Sequence, residues 1–200
     1  MRWRIVFASH NAGKAAEVRT LLPGVELLGG VAGPAVEETG STYGANALLK
    51  ARSWARATGL PALADDSGLE VRALGGAPGL HSARVAPSDR ERLRWLLERL
   101  EGVGDRRACF VASLAVAFPR EGRALLVQGR CFGTIARAPA GEGGFGYDPL
   151  FVPDGGEKTF AEIPPEGKNR LSHRGVACRM LLSLLRLLRP PGDDGGGDPA

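Results

Sequence analysis

The chain has 200 residues, 44% hydrophobic and 24% charged, the profile of a globular domain that buries its core without staples. No apolar run reaches bilayer length, the apolar stretch behind Met1-Arg2-Trp3-Arg4 is too short for a signal peptide, and three cysteines (Cys109, Cys131, Cys178) without a CxxC pair speak against a disulfide framework and for a reducing cytoplasm. Residues 1–189 hold 26 basic and 19 acidic side chains, a balance that suits an anionic ligand such as a nucleotide or nucleic acid.

In chain order, residues 4–8 (RIVFA) form an apolar run that predicts a buried first strand. A helix is expected up to Leu22, with Ala15, Val18 and Leu22 at helical spacing and Pro23-Gly24 as its stop. Residues 26–28 suit a second strand, and 29–41 read as irregular. Residues 42–58 predict a helix with Ser41 as N-cap and Gly59 at its C-terminal end. Residues 60–64 predict a strand ending in Asp65-Asp66-Ser67-Gly68, followed by a short extended piece over 69–74. Ser88-x-x-Glu91 is a capping box that opens a helix to about Leu100. Residues 108–118 and 124–132 predict an antiparallel pair turning at 119–122. A glycine-rich loop over 139–149 and a last helix over 172–188 follow. The segment 190–200 is low in complexity and expected to be disordered. Strands and helices mix without a regular rhythm, which gives an α/β class with a mixed sheet in one domain over 1–189.

Five segments could carry chemistry. Ser9-His10-Asn11-Ala12-Gly13-Lys14 joins a strand to a helix, where free N–H groups and a positive helix end suit a phosphate; an ordinary turn capped by Asn has the same pattern. Asn46 and Lys50 share a helix face, with Glu37 and Glu38 just before that helix. Asp65 and Asp66 follow an apolar strand; strand neighbours alternate faces, so the two need not point the same way, and paired carboxylates suit Mg²⁺. Phe145 and Tyr147 stand among glycines, where a ring can stack on a base. Lys168-Asn169-Arg170-Leu171-Ser172-His173-Arg174-Gly175 precedes the last helix; its His173 and Arg174 follow the N-cap Ser172, a place where cations are mildly unfavourable. Only four cations are lysines (14, 50, 158 and 168), against 22 arginines, and three of those four fall in these segments.

Together the blocks ASHNAGK, EETGSTYGANALLKAR, ALADDSGLEVRALGGAPGLHSAR, PAGEGGFGYDPLF and KTFAEIPPEGKNRLSHRGVA, spread over residues 8–177, resemble the noncanonical purine NTP pyrophosphatase family (inosine/xanthosine triphosphatases). Ser9-His10, Tyr43 and His81 depart from the family's usual residues. The resemblance implies a long mixed twisted sheet flanked by helices, two lobes with a central active-site cleft, and a homodimer. It implies Mg²⁺-dependent hydrolysis of ITP, dITP and XTP to the monophosphate and pyrophosphate. By position, Asp66 would be proton acceptor and metal ligand, Asp65 its support, and Glu38 (or Glu37) a second metal ligand. Lys14 and Lys50 would hold the phosphate chain with the loop of Ser9, His10, Asn11, Ala12 and Gly13. Ser67, Phe145, Gly146, Tyr147, Asp148, Lys168, His173 and Arg174 would contact the substrate.

Two other readings stand beside it. One is a pyrophosphatase for other damaged nucleotides. The other is a nucleic-acid-binding module, prompted by the positive body; an aromatic content of 6% and the lack of an RRM or KH signature speak against it. The chain is expected to bind neither nucleic acid nor membrane.

Overall fold

A computed structural model describes residues 2–120 and 122–188; the segment expected to be disordered, 190–200, lies outside them. Six strands form one mixed sheet in the order β2-β1-β3-β4-β5-β6. They are β1 (Trp3–Phe7), β2 (Val25–Leu28), β3 (Ala62–Val71), β4 (Arg107–Ala117), β5 (Ala124–Ile135) and β6 (Phe151–Pro153). The helices are α1 (Ala12–Leu21), α2 (Tyr43–Thr58), α3 (Asp89–Arg99), α4 (Pro165–Leu171) and α5 (His173–Leu187). β1 runs parallel to both β2 and β3, and the remaining neighbours are antiparallel.

The alternation of side chains sorts the two faces. On one face Ile5, Phe7, Leu63, Leu114 and Val116 pack against Val18 and Leu22 of α1 and Leu181 and Leu185 of α5. On the other, Val6, Ala8, Ala62, Ala64, Ala115 and Ala117 meet Ala47, Ala51, Trp54 and Ala55 of α2. The alanines on both surfaces let α2 lie close to the sheet. A third cluster, around Phe110, Phe151 and Phe160, fills the far end beneath α3. Gly129 admits α5: a Cβ there would meet the His173 carbonyl oxygen at 2.1 Å and the Ala177 nitrogen at 2.5 Å.

Three local expectations are corrected. The N-cap of α2 is Thr42, whose Oγ1 accepts from the Ala45 N–H at 3.1 Å, and not Ser41. DDSG does not end a strand: β3 runs unbroken for ten residues, because β4 pairs with it residue by residue from Ala62 to Val71 and overrides the turn propensity of Asp, Ser and Gly. The aspartate pair therefore sits inside a strand and not at its carboxyl end. Two short elements were also not foreseen, β6 and α4, the latter opening with Pro165 at its first position. The capping box of α3, the β4–β5 pair and the Ser172 cap of α5 are present as expected.

Candidate active site

α1 leaves β1 on one face and α2 enters β3 from the other, so the chain switches faces at the C-terminal end of β1, where open α/β sheets place their ligands. β1 pairs with β3 only at Val6–Ala62 and Phe7–Leu63. Beyond that point one edge of β3 is open, and Asp65, Asp66 and Ser67 lie along it.

Asp65, fully buried, shares the face of α1 and α5. Its Oδ2 accepts from Arg174 Nε at 2.7 Å, and its Oδ1 lies 2.8 Å from Lys14 Nζ. Burial pushes its pKa up, but Arg174 and Lys14 outweigh this and hold it well below the usual carboxylate range. Asp66 shares the opposite face. Its Oδ1 accepts from Lys50 Nζ at 2.9 Å, and its Oδ2 has a long contact, 3.4 Å, with Asn46 Nδ2. Burial wins there and raises its pKa. Asn46 and Lys50 reach the same carboxylate because they stand one helical turn apart. Lys50 also donates to Glu38 Oε1 at 2.7 Å and to the Asp65 carbonyl at 2.9 Å. Despite partial burial, Lys50 and Arg84 bring Glu38 down to about 2. Glu37 is exposed, so geometry favours Glu38 as the companion of Asp66.

On the α1/α5 face a cavity of about 340 Å³ is lined by Asn11, Ala12, Gly13, Lys14, Ser67, Phe145, Gly146, Tyr147, Asp148, Lys168, His173 and Arg174. Asn11 caps α1, its Oδ1 accepting from the Lys14 N–H at 2.9 Å. Arg174 is buried at the N-terminus of α5, where the helix dipole opposes it; Asp65, Glu17 and Ser67 (Nη2 to Oγ, 3.1 Å) compensate. Lys168 donates to both Glu17 and Asp148. Burial raises the Asp148 pKa more than Lys168 lowers it. His173 stacks on Phe110, ring centroids 4.6 Å apart. Burial pushes its pKa well below 6.5, and its Nδ1 has no hydrogen-bond partner. It is thus a neutral imidazole and does not load the helix end with charge.

The expected residues fall into two groups. Glu38, Lys50 and Asp66 gather on the α2 face, while Lys14, Asp65, Ser67, Asp148, Lys168, His173 and Arg174 gather around the cavity. Ser9 and His10 border neither; they line a separate hollow with Arg19 and Trp54. Sequence reasoning missed Glu17 and Arg84. Glu17 stands three residues after Lys14, on the same helical face, which was the available signal; Arg84, within HSAR, reaches Glu38 through Nη1 and had none.

Two carboxylates sharing one ammonium are a donor set that fits Mg²⁺, which ordinarily takes one or two carboxylates and fills its shell with water and phosphate oxygens. Among the described residues no three His, Cys, Asp or Glu side chains form a metal cage.

Fold and site define a class: an α/β protein that gathers carboxylates and ammonium groups where a parallel pair of strands ends, beside a cavity with aromatic walls. A family model described as "Ham1 family" matches residues 5–184. The chain is 48% identical to a dITP/XTP pyrophosphatase of Deinococcus deserti, across 94% of this chain and 92% of that one. It is 50% identical to another of that name from Deinococcus radiodurans, across 90% and 92%. Among solved structures, a HAM1 protein from Coxiella burnetii superposes with a TM-score of 0.83 at 42% identity, across 93% of this chain and all of that one. The chain belongs to the Ham1 family.

Proposed function

We propose that this protein hydrolyses noncanonical purine nucleoside triphosphates (dITP, ITP and XTP) to the nucleoside monophosphate and pyrophosphate, and so clears them from the nucleotide pool. The observation that carries the reading is the division of labour at the open edge of β3, with Lys50–Asp66–Glu38 on one face and Lys14–Asp65–Arg174 on the other. The names carried by the relatives supply the substrate class.

Asp66 accepts the proton of the water that attacks the α-phosphorus, and its raised pKa suits a base. Lys14 and Lys50 bind the phosphate chain and stabilise the charge that develops on the leaving pyrophosphate. Glu38 and Asp66 would hold Mg²⁺, which supplies charge neutralisation for the triphosphate and a more acidic water. Phe145 offers a ring to the base. His173, with an unpaired Nδ1, and Arg174 are the donors for the O6 of hypoxanthine or xanthine. Adenine presents an amine there, so ATP would set donor against donor, and an unpaired buried polar group costs about 1–3 kcal/mol.

The protein acts in the cytoplasm, consistent with its three free thiols. Among the described residues no helix is long and apolar enough to cross a membrane. It is a homodimer, a reading supported by the exposed Leu126 and Phe132 on β5 and checked by light scattering. Incubation with ITP, dITP, XTP, GTP and ATP in the presence of Mg²⁺ tests the function. Pyrophosphate release confined to the first three supports it; orthophosphate release, or equal use of ATP, overturns it.

A further inference from the structure

Phe145 is held within its own loop, and Gly146 and Tyr147 are held from outside it. The Phe145 N–H donates to Asp148 Oδ2 at 2.9 Å. The Tyr147 hydroxyl donates to the Ser82 carbonyl at 2.9 Å. The Gly146 N–H donates to Asp89 Oδ2 at 2.7 Å, across 57 residues of chain. Asp148 and Tyr147 are buried, whereas the Asp89 side chain is 46% exposed. The Asp89 contact is therefore the one that water can compete for.

Asp89 opens α3, and a carboxylate there needs no special explanation. Three facts go beyond that. The helix start is already secured by Ser88 and Glu91, which form a complete capping box without Asp89. The Asp89 carboxylate is aimed: Arg92 Nη1 donates to its Oδ1 at 2.6 Å, and Arg92 Nε is itself fixed on the Ala86 carbonyl at 3.0 Å. Asp89 and Arg92 both line the cavity. Gly146 has φ of +64°, a left-handed setting that glycine adopts without strain.

We propose that Asp89 is a positioning residue for the nucleoside: it latches the loop of Phe145 and Tyr147 onto α3 and so sets how tightly the base is held, without touching the phosphates. This rests on the function proposed above. The latch is a single charge-assisted hydrogen bond at the rim, so it governs affinity while leaving Asp66, Lys14 and Lys50 in place.

The test uses the full chain, Asp89→Ala and Asp89→Asn. In Asp89→Ala, KM for ITP rises about five- to tenfold while kcat stays within about twofold. Asp89→Asn keeps an acceptor oxygen and recovers most of the loss. Hydrogen exchange, which needs no substrate, reads the latch directly. The amides of residues 144–147 should exchange about tenfold faster in Asp89→Ala, with α3 protection unchanged because of the capping box. Unchanged exchange in the loop overturns the inference. So does a wild-type KM in Asp89→Ala, or an equal loss of kcat in both variants. A wild-type protein inactive on ITP would count against the proposed function, and the exchange experiment would still decide the latch.

Discussion

Asp65 and Asp66 are neighbours in the chain and point to opposite faces of β3, Asp65 to Lys14 and Arg174 and Asp66 to Lys50 and Asn46. One sequence doublet thereby serves two surroundings. The first is enclosed by cations. The second is buried as well but keeps one oxygen only loosely engaged.

The two should fail differently. Asp66→Asn should lower kcat by about 10²–10⁴-fold and leave stability within about 1 kcal/mol, since Lys50 retains Glu38. Asp65→Asn strips charge from beside the buried Arg174 and should cost about 3–5 kcal/mol of stability. Urea unfolding together with pyrophosphate release checks both. Equal effects on both readouts would contradict the division.

Burial keeps His173 neutral in the folded chain, its pKa well below 6.5. Below about pH 6.5 the unfolded chain binds this proton and the folded chain does not. Stability should therefore fall as pH drops, by about 1.4 kcal/mol per unit, until the folded pKa is reached. Asp65 has the same sign in a lower window: its contribution is full above about 3.8 and fades as pH falls toward its lower folded value. Urea titrations from pH 5 to 7.5 should show a steeper slope for wild type than for His173→Gln; parallel slopes would refute the assignment.

The Tyr43 hydroxyl is buried without a partner. Tyr43→Phe removes an unsatisfied group and should stabilise by about 1 kcal/mol, seen as a Tm rise of about 2–4 °C. A fall in Tm would mean that the hydroxyl has found a partner.

Gly13 lets the loop of residues 9–14 lie against Phe145: a Cβ there would sit 2.8 Å from Phe145 Cδ1. Gly13→Ala should displace the ring and raise KM for ITP about tenfold or more. In a Phe145→Ala background the same change should add little. A full second loss in that double variant would place the strain elsewhere.

Much of this was legible in the sequence because the relevant signals are local. Strand alternation, the Ser88–Glu91 box and the Ser172 cap need only a few residues of context. The lysines stood out in an arginine-rich chain. What was hidden depends on distant partners. β3 continues through DDSG only because β4 is there to pair with it. Glu17 matters through Lys168 and Arg174, more than 150 residues away. β6, three residues long, has too little pattern to read. Ser9 and His10 line a hollow apart from the cavity, where the His10 ring lies 5.8 Å from that of Trp54, a placement set by residues far along the chain.

Under the proposed reaction, a water that Asp66 deprotonates attacks the α-phosphorus. Hydrolysis of ITP in ¹⁸O-labelled water, followed by mass spectrometry of both products, tests it most directly. Attack at the α-phosphorus puts the label in the inosine monophosphate and none in the pyrophosphate. Label in pyrophosphate, or in free orthophosphate, would contradict it.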